Sequence, residues 1–165
     1  EMGDLPNVKG LVYVAAFAPE VGETGIGLSG KFPGSTLGPT LAPPVPLASG
    51  GNDLYIRQDK FPAQFAADVP AAAARQMAAT QRPIAEAALN EPATEPAWKT
   101  IPSWFVYGGR DLNIPPAASA FMAERANSRG TIVVKGASHV VMVSYPDTVA
   151  LVIEKAAAAT VAASR

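Results

Sequence analysis

The sequence predicts an α/β fold, with a mostly parallel sheet flanked by helices and broken by one long irregular insertion. Three observations predict it. Leu11 to Phe17 is apolar at every position without alternation, the pattern of a strand covered on both faces. Residues 98–162 read as strand, helix, strand, helix, which argues for parallel strands joined by right-handed crossovers. Between these regions, residues 18–60 are crowded with glycine and proline, which break any long helix or strand.

The elements follow in chain order. Residues 1–7 read as the end of a helix and a turn. The strand of residues 11–17 comes next, and as a central strand it calls for neighbours on both sides. Residues 18–60 carry Leu28, Phe32, Leu37, Leu41, Val45, Leu54, Tyr55 and Ile56, too much apolar surface for a disordered stretch. They read as an excursion that packs on something, with a turn at 47–53 and a short strand at 53–56. Phe61 to Ala67 read as a short helix. Asp68 reads as the N-cap of a second helix that Pro70 opens and that runs to Thr80. Pro83 to Leu89 read as a third. Arg75, Met77, Gln81 and Arg82 sit among alanines, where helix packing is the plainer reading and a pocket wall the sharper one. A strand follows at 98–107, then a helix opened by Pro115 and Pro116 and running to about Arg125. The chain ends with a strand at 131–134 and a helix from Pro146 to about Ala162.

Composition narrows the function. A chain of 165 residues, 48% of them hydrophobic, can bury one real core. Thirteen basic against fourteen acidic residues leave a net charge of −1, so no charged stripe points to nucleic acid. There is no cysteine and a single histidine, which leaves no disulfide framework and makes a zinc site improbable. No apolar run reaches the 18 or so residues of a membrane span, and no signal peptide opens the chain, so the expected location is cytoplasmic.

That single histidine, His139, lies on a loop just past the strand at 131–134. Alone it reads as a structural residue. Asp111 changes this, because it follows the preceding strand in the same way. Ligands of parallel sheets bind beyond the carboxyl ends of the strands. If the two strands are neighbours, Asp111 and His139 can meet, and a carboxylate held against one imidazole nitrogen makes the other nitrogen a base. The competing reading of Asp111 is a turn or helix cap after Gly108-Gly109.

The pattern G-x-x-D-x-x-x-P at Gly108, Asp111 and Pro115, followed by G-x-x-H at Gly136 and His139 and then Pro146, resembles the carboxyl-terminal part of the α/β-hydrolase superfamily. Residues 12–19, VYVAAFAP, look like the strand after the nucleophile helix. With residues 77–83 and 98–103, they most resemble the small esterase and hydroxynitrile-lyase-like branch that includes the plant methyl-ester esterases. The resemblance covers nearly the whole chain. It implies a mostly parallel α/β-hydrolase sheet with an inserted cap: residues 1–17 as a core strand, 18–97 as the cap, and 98–165 as core strands and helices carrying the acid, Asp111, and the base, His139. It also implies a cap pocket for a small substrate, with Phe17, Phe32, Leu41, Met77 and Met142 as binding residues and Met122 nearby.

The family's nucleophile elbow, G-x-S-x-G, is absent. Gly27-Leu28-Ser29-Gly30 lacks the spacing, and in Gly34-Ser35-Thr36-Leu37-Gly38 the serine is one place early. An H-G-type oxyanion loop is absent too. Ser29, Ser35, Ser49 and Ser103 read as loop residues. The expectation is therefore a carboxyl-terminal part of a longer protein or one chain of two, in which an amino-terminal segment or companion chain supplies the serine. The expected activity is cleavage of a small carboxylic ester, with no cofactor, metal, nucleic acid or membrane involved, and with this chain inactive alone. The alternatives are a catalytically incomplete ligand-binding or interaction module, or a hydroxynitrile-lyase-like or cofactor-free haloperoxidase-like enzyme on the same fold.

Overall fold

The computed structural model describes residues 5–162. The reading of residues 1–4 lies outside them. Pro6 and Asn7 form a turn closed by a hydrogen bond from the Val8 amide to the Leu5 carbonyl at 3.0 Å.

Three strands form a parallel sheet. In chain order they are β1 (Leu11–Val14), β5 (Ser103–Gly108) and β6 (Gly130–Val134), and β5 lies between the other two. Leu11 sits beside Ser103 and Val14 beside Val106, while Trp104 sits beside Gly130 and Gly108 beside Val134. Every residue of β5 is buried. Its alternation sorts the side chains onto two faces. Phe105 and Tyr107 pack with Leu28, Trp98, Ile114, Ala118 and Met122, against helix α5 (Pro116–Arg125). Trp104 and Val106 pack with Val141, Val149, Val152 and Ala156, against helix α7 (Pro146–Ala162). One helix on each face is the reason β5 carries no polar alternation.

The expectation for residues 11–17 needs correcting. The strand stops at Val14, because Ala15 turns into the left-handed region at φ 43°. Each residue of β1 is only half-buried, and among the described residues β1 pairs on one side alone. The doubly covered central strand is β5. That strand also begins later than expected, since Trp98 lies in a single 3-10 turn, Ala97–Lys99.

The segment between β1 and β5 has more regular structure than its glycines predict. Helix α1 (Gly25–Gly30) forms because Thr24 caps it, its hydroxyl accepting the Gly27 amide at 3.0 Å. Strands β2 (Val45–Pro46), β3 (Asn52–Leu54) and β4 (Ile84–Ala85) make a small antiparallel sheet. The exposed turn between β2 and β3 relies on Gly50 and Gly51, at φ 89° and 82°. Three helices complete the segment: α2 (Phe61–Phe65), α3 (Ala71–Thr80) and α4 (Glu86–Asn90).

Further expectations fail here. The first helix ends at Phe65, not Ala67. Residues 83–89 are not one helix, because Ile84 and Ala85 pair with Leu54 and Asp53 before the chain turns into α4. The strand expected at 53–56 is Asn52–Leu54, and Ile56 instead bridges to Leu41. Asp68 does not cap α3; Pro70 occupies that position without a side-chain bond. A third apolar cluster gathers Ile56, Phe61, Ala66, Val69, Ala74, Ala78 and Val140, with Leu37, Leu41, Phe65 and Met77 against it. A short helix that the sequence did not announce, α6 (Val141–Ser144), follows the histidine loop. Among the described residues no helix is long and apolar enough to cross a membrane.

Candidate active site

Asp111 and His139 follow neighbouring strands, and the two loops are sewn together by backbone. The Gly109 amide donates to the Val134 carbonyl at 2.9 Å and the Arg110 amide to the Ala137 carbonyl at 2.9 Å. Gly136, at φ 88°, turns the second loop back over the first. Gly108 must lack a side chain, since a Cβ there would lie 2.2 Å from the Ser138 carbonyl oxygen. The glycine that ends β5 therefore sets how closely the two loops approach.

Within that joint the Asp111 side chain is fully buried. Its Oδ1 accepts the amides of Asn113 at 2.8 Å and Ile114 at 3.0 Å, the turn that leads into α5. Its Oδ2 faces His139 Nδ1 at 2.7 Å. One oxygen thus makes the turn bonds of a helix cap, and the other meets the imidazole. A buried carboxylate needs such partners to offset its lost hydration. With the carboxylate as acceptor, Nδ1 carries the ring proton and Nε2 is left with its lone pair. Among the described residues only Asp111 hydrogen-bonds the imidazole, whose side chain is 17% exposed and so reachable from outside.

The walls of the site come from the segment between β1 and β5. The Phe65 ring lies 4.7 Å from the imidazole, tilted by 58°. Gln64 donates to the Asn113 side-chain oxygen at 2.8 Å and the Leu112 carbonyl at 2.9 Å, and accepts from Thr36 at 2.8 Å. Ser29 donates to the Asn113 carbonyl at 2.7 Å. This web fixes the loop that carries Asp111. Sequence reasoning missed Phe65, Gln64 and Asn113, which belong to no motif and meet the site only through the fold.

The expected binding residues fall in different places. Leu41 and Met77 pack in the cluster that contains Val140, next to His139. Phe17 and Phe32 pack in another cluster, beneath β5, with the Phe32 ring 5.6 Å from that of Phe121. Met142 is 40% exposed on α6. Met122 is a core residue, fully buried, whose sulfur accepts the Ala18 amide at 3.1 Å. An open groove of about 510 Å³ lies among Ile26, Leu41, Leu54, Arg57, Glu86 and Leu89; of the expected residues it touches Leu41 alone. None of the described serines bonds to His139.

Residues 2–151 match the model of the alpha/beta hydrolase family. The chain belongs to the α/β hydrolase family. Its parallel sheet and flanking helices are part of the α/β-hydrolase fold. No curated protein sequence matches it. Among solved structures, the chain is similar to polyneuridine aldehyde esterase, with TM-score 0.73 and 12% identity over 93% of this chain and 64% of that one. An extracellular α/β-hydrolase from a Paenibacillus species gives TM-score 0.67 and 21% identity over 94% of this chain and 64% of that one. A methylesterase from Arabidopsis gives 0.60 and 14% over 90% and 58%. These are likenesses of fold, and the chain spans less than two thirds of each of those α/β-hydrolase chains.

Proposed function

We propose that this chain carries the acid and base of a serine ester hydrolase. The observation that supports it most is the buried Asp111 oxygen 2.7 Å from His139 Nδ1, on loops that follow adjacent parallel strands. In this reading a serine outside the chain attacks the ester carbonyl. His139 Nε2 takes the serine proton and passes it to the departing alcohol, leaving an acyl-enzyme. It then takes a proton from water, which attacks the acyl carbon, and returns that proton to the serine oxygen as the acyl bond breaks and the acid is released. Asp111 holds the ring and stabilises the imidazolium formed twice per turnover. Donors outside the chain hold the oxyanion. Residues 18–97 act as the cap, and the apolar side of a small carboxylic ester rests on Leu41, Met77 and Phe65. Phe17, Phe32 and Met142 take part only where the remainder of the protein or the substrate reaches them.

In the complete protein, His139→Ala should lower kcat for ester hydrolysis by at least about 10³-fold with little loss of stability. Near wild-type turnover in a folded variant would sink the reading. The second reading is a binding module that retains sheet and cap but not turnover, and a complete protein that lacks a nucleophile serine would favour it. Saturable binding of an ester by the complete protein, with no acid released over many hours, would decide for it.

A further inference from the structure

Ser138, the residue before the base, is buried, and its hydroxyl lies between two acceptors from the segment that precedes β5. One is the Phe65 carbonyl at 3.1 Å; the other is the carboxylate of Asp68. The hydroxyl has a single proton to donate, and a charged oxygen is the stronger acceptor. Asp68 belongs to neither α2 nor α3 but to the turn between them, and its side chain points across to the histidine loop instead of capping α3. Three residues further back, the Phe65 ring lies tilted against the imidazole. One short stretch, residues 65–68, therefore holds both His139 and the residue beside it.

We infer that Asp68 is a positioning residue for His139, fixing the base through Ser138 and tying its orientation to the placement of the cap. This rests on the role of His139 proposed above. Asp68 touches no reacting atom; it acts on the backbone of residue 138, one peptide unit from the imidazole. Burial works against its charge, yet the Ser138 and Ser144 hydroxyls and the Ser138 amide together hold its carboxyl below the usual carboxylate range. It therefore remains an acceptor where a base would work. Asp68 thus holds the loop through the residue immediately before His139. A base misdirected by about an ångström loses up to about 10²-fold in rate.

The test uses the complete protein with Asp68→Asn, Ser138→Ala and the pair combined. Two quantities are read: the solvent exchange of the His139 Nδ1 proton by NMR, assigned by its loss in His139→Ala, and the separate kcat and KM of ester hydrolysis. Each single variant should speed that exchange and lower kcat by about tenfold to 10²-fold, with KM within about twofold. The combined variant should be no worse than the more severe single one, because both break the same contact. Unchanged exchange and kcat in both folded single variants would overturn the inference, as would fully additive losses. Should Asp68→Asn fail to fold, Ser138→Ala decides alone by the same readings. If the complete protein hydrolyses no ester but the proton exchange responds, the positioning role stands and the esterase reading falls.

Discussion

A methyl group placed on Gly108 would meet the carbonyl oxygens of Ser138 and Ala137 at 2.2 and 2.4 Å, and neither is the movable end of a side chain. Gly108→Ala must therefore push the histidine loop off the end of β5. It should cost about 1–3 kcal/mol in urea unfolding, the range for an overpacked interior, and stretch the Asp111–His139 contact. An unchanged unfolding midpoint would mean that the loops are not so tightly joined. At this scale the sequence was informative where chemistry resides in residue type. Asp111 and His139 were legible because a lone histidine and a carboxylate, each just past a strand, have few other reasons to share that place. Phe65 and Asp68 were not, because they reach the site from some seventy residues away and carry no spacing rule. Asp68 even had a plausible local task, the N-cap of α3, which the tertiary contact with Ser138 overrode.

Arg125, in the last turn of helix α5, ties that helix to the chain after β1. Arg125 meets both oxygens of Glu23 at 3.0 and 2.6 Å, donates to the Ala18 carbonyl at 2.7 Å, and lies over the rings of Trp98 and Phe121. Its side chain is 18% exposed and that of Glu23 25%, so solvent screens the pair only in part. The Arg125 hydrogen bonds hold the Glu23 carboxyl below its usual 4.5, against the opposing effect of burial. A carboxyl lowered in the folded state stabilises fully above the unfolded value and loses that contribution as the pH falls through the folded one. Glu23→Gln should therefore cost about 1–3 kcal/mol near pH 7, and the gap to wild type should shrink toward about pH 3. Urea unfolding at the two pH values checks this, and a gap independent of pH would refute it. Element types were legible where an apolar run needed no partner to define it, as in β5 and α7. They were misread where pairing decided the outcome: Ile84 and Ala85 left a helical pattern for a ladder with Leu54 and Asp53.

Taken as one body, the molecule presents the Asp111–His139 pair from residues 103–145 and the walls around it from residues 18–97. The described serines that lie near the site are already engaged: Ser29 with the Asn113 carbonyl, Ser138 with Phe65 and Asp68. The 165-residue chain by itself should take no label from a serine-directed fluorophosphonate, and intact-mass measurement reads this directly. Stoichiometric labelling of any serine from Ser29 to Ser103 would show that the nucleophile resides in this chain after all. The turn at Gly50 and Gly51 has a separate use. It is exposed, far along the chain from both Asp111 and His139, and nothing lies within 4 Å of where a Cβ on either glycine would sit. Loop tips of this kind tolerate extra residues. A fluorophore or affinity handle grafted there would ride on the molecule as a passenger, reporting on residues 18–97 without disturbing the joint that holds Asp111 against His139.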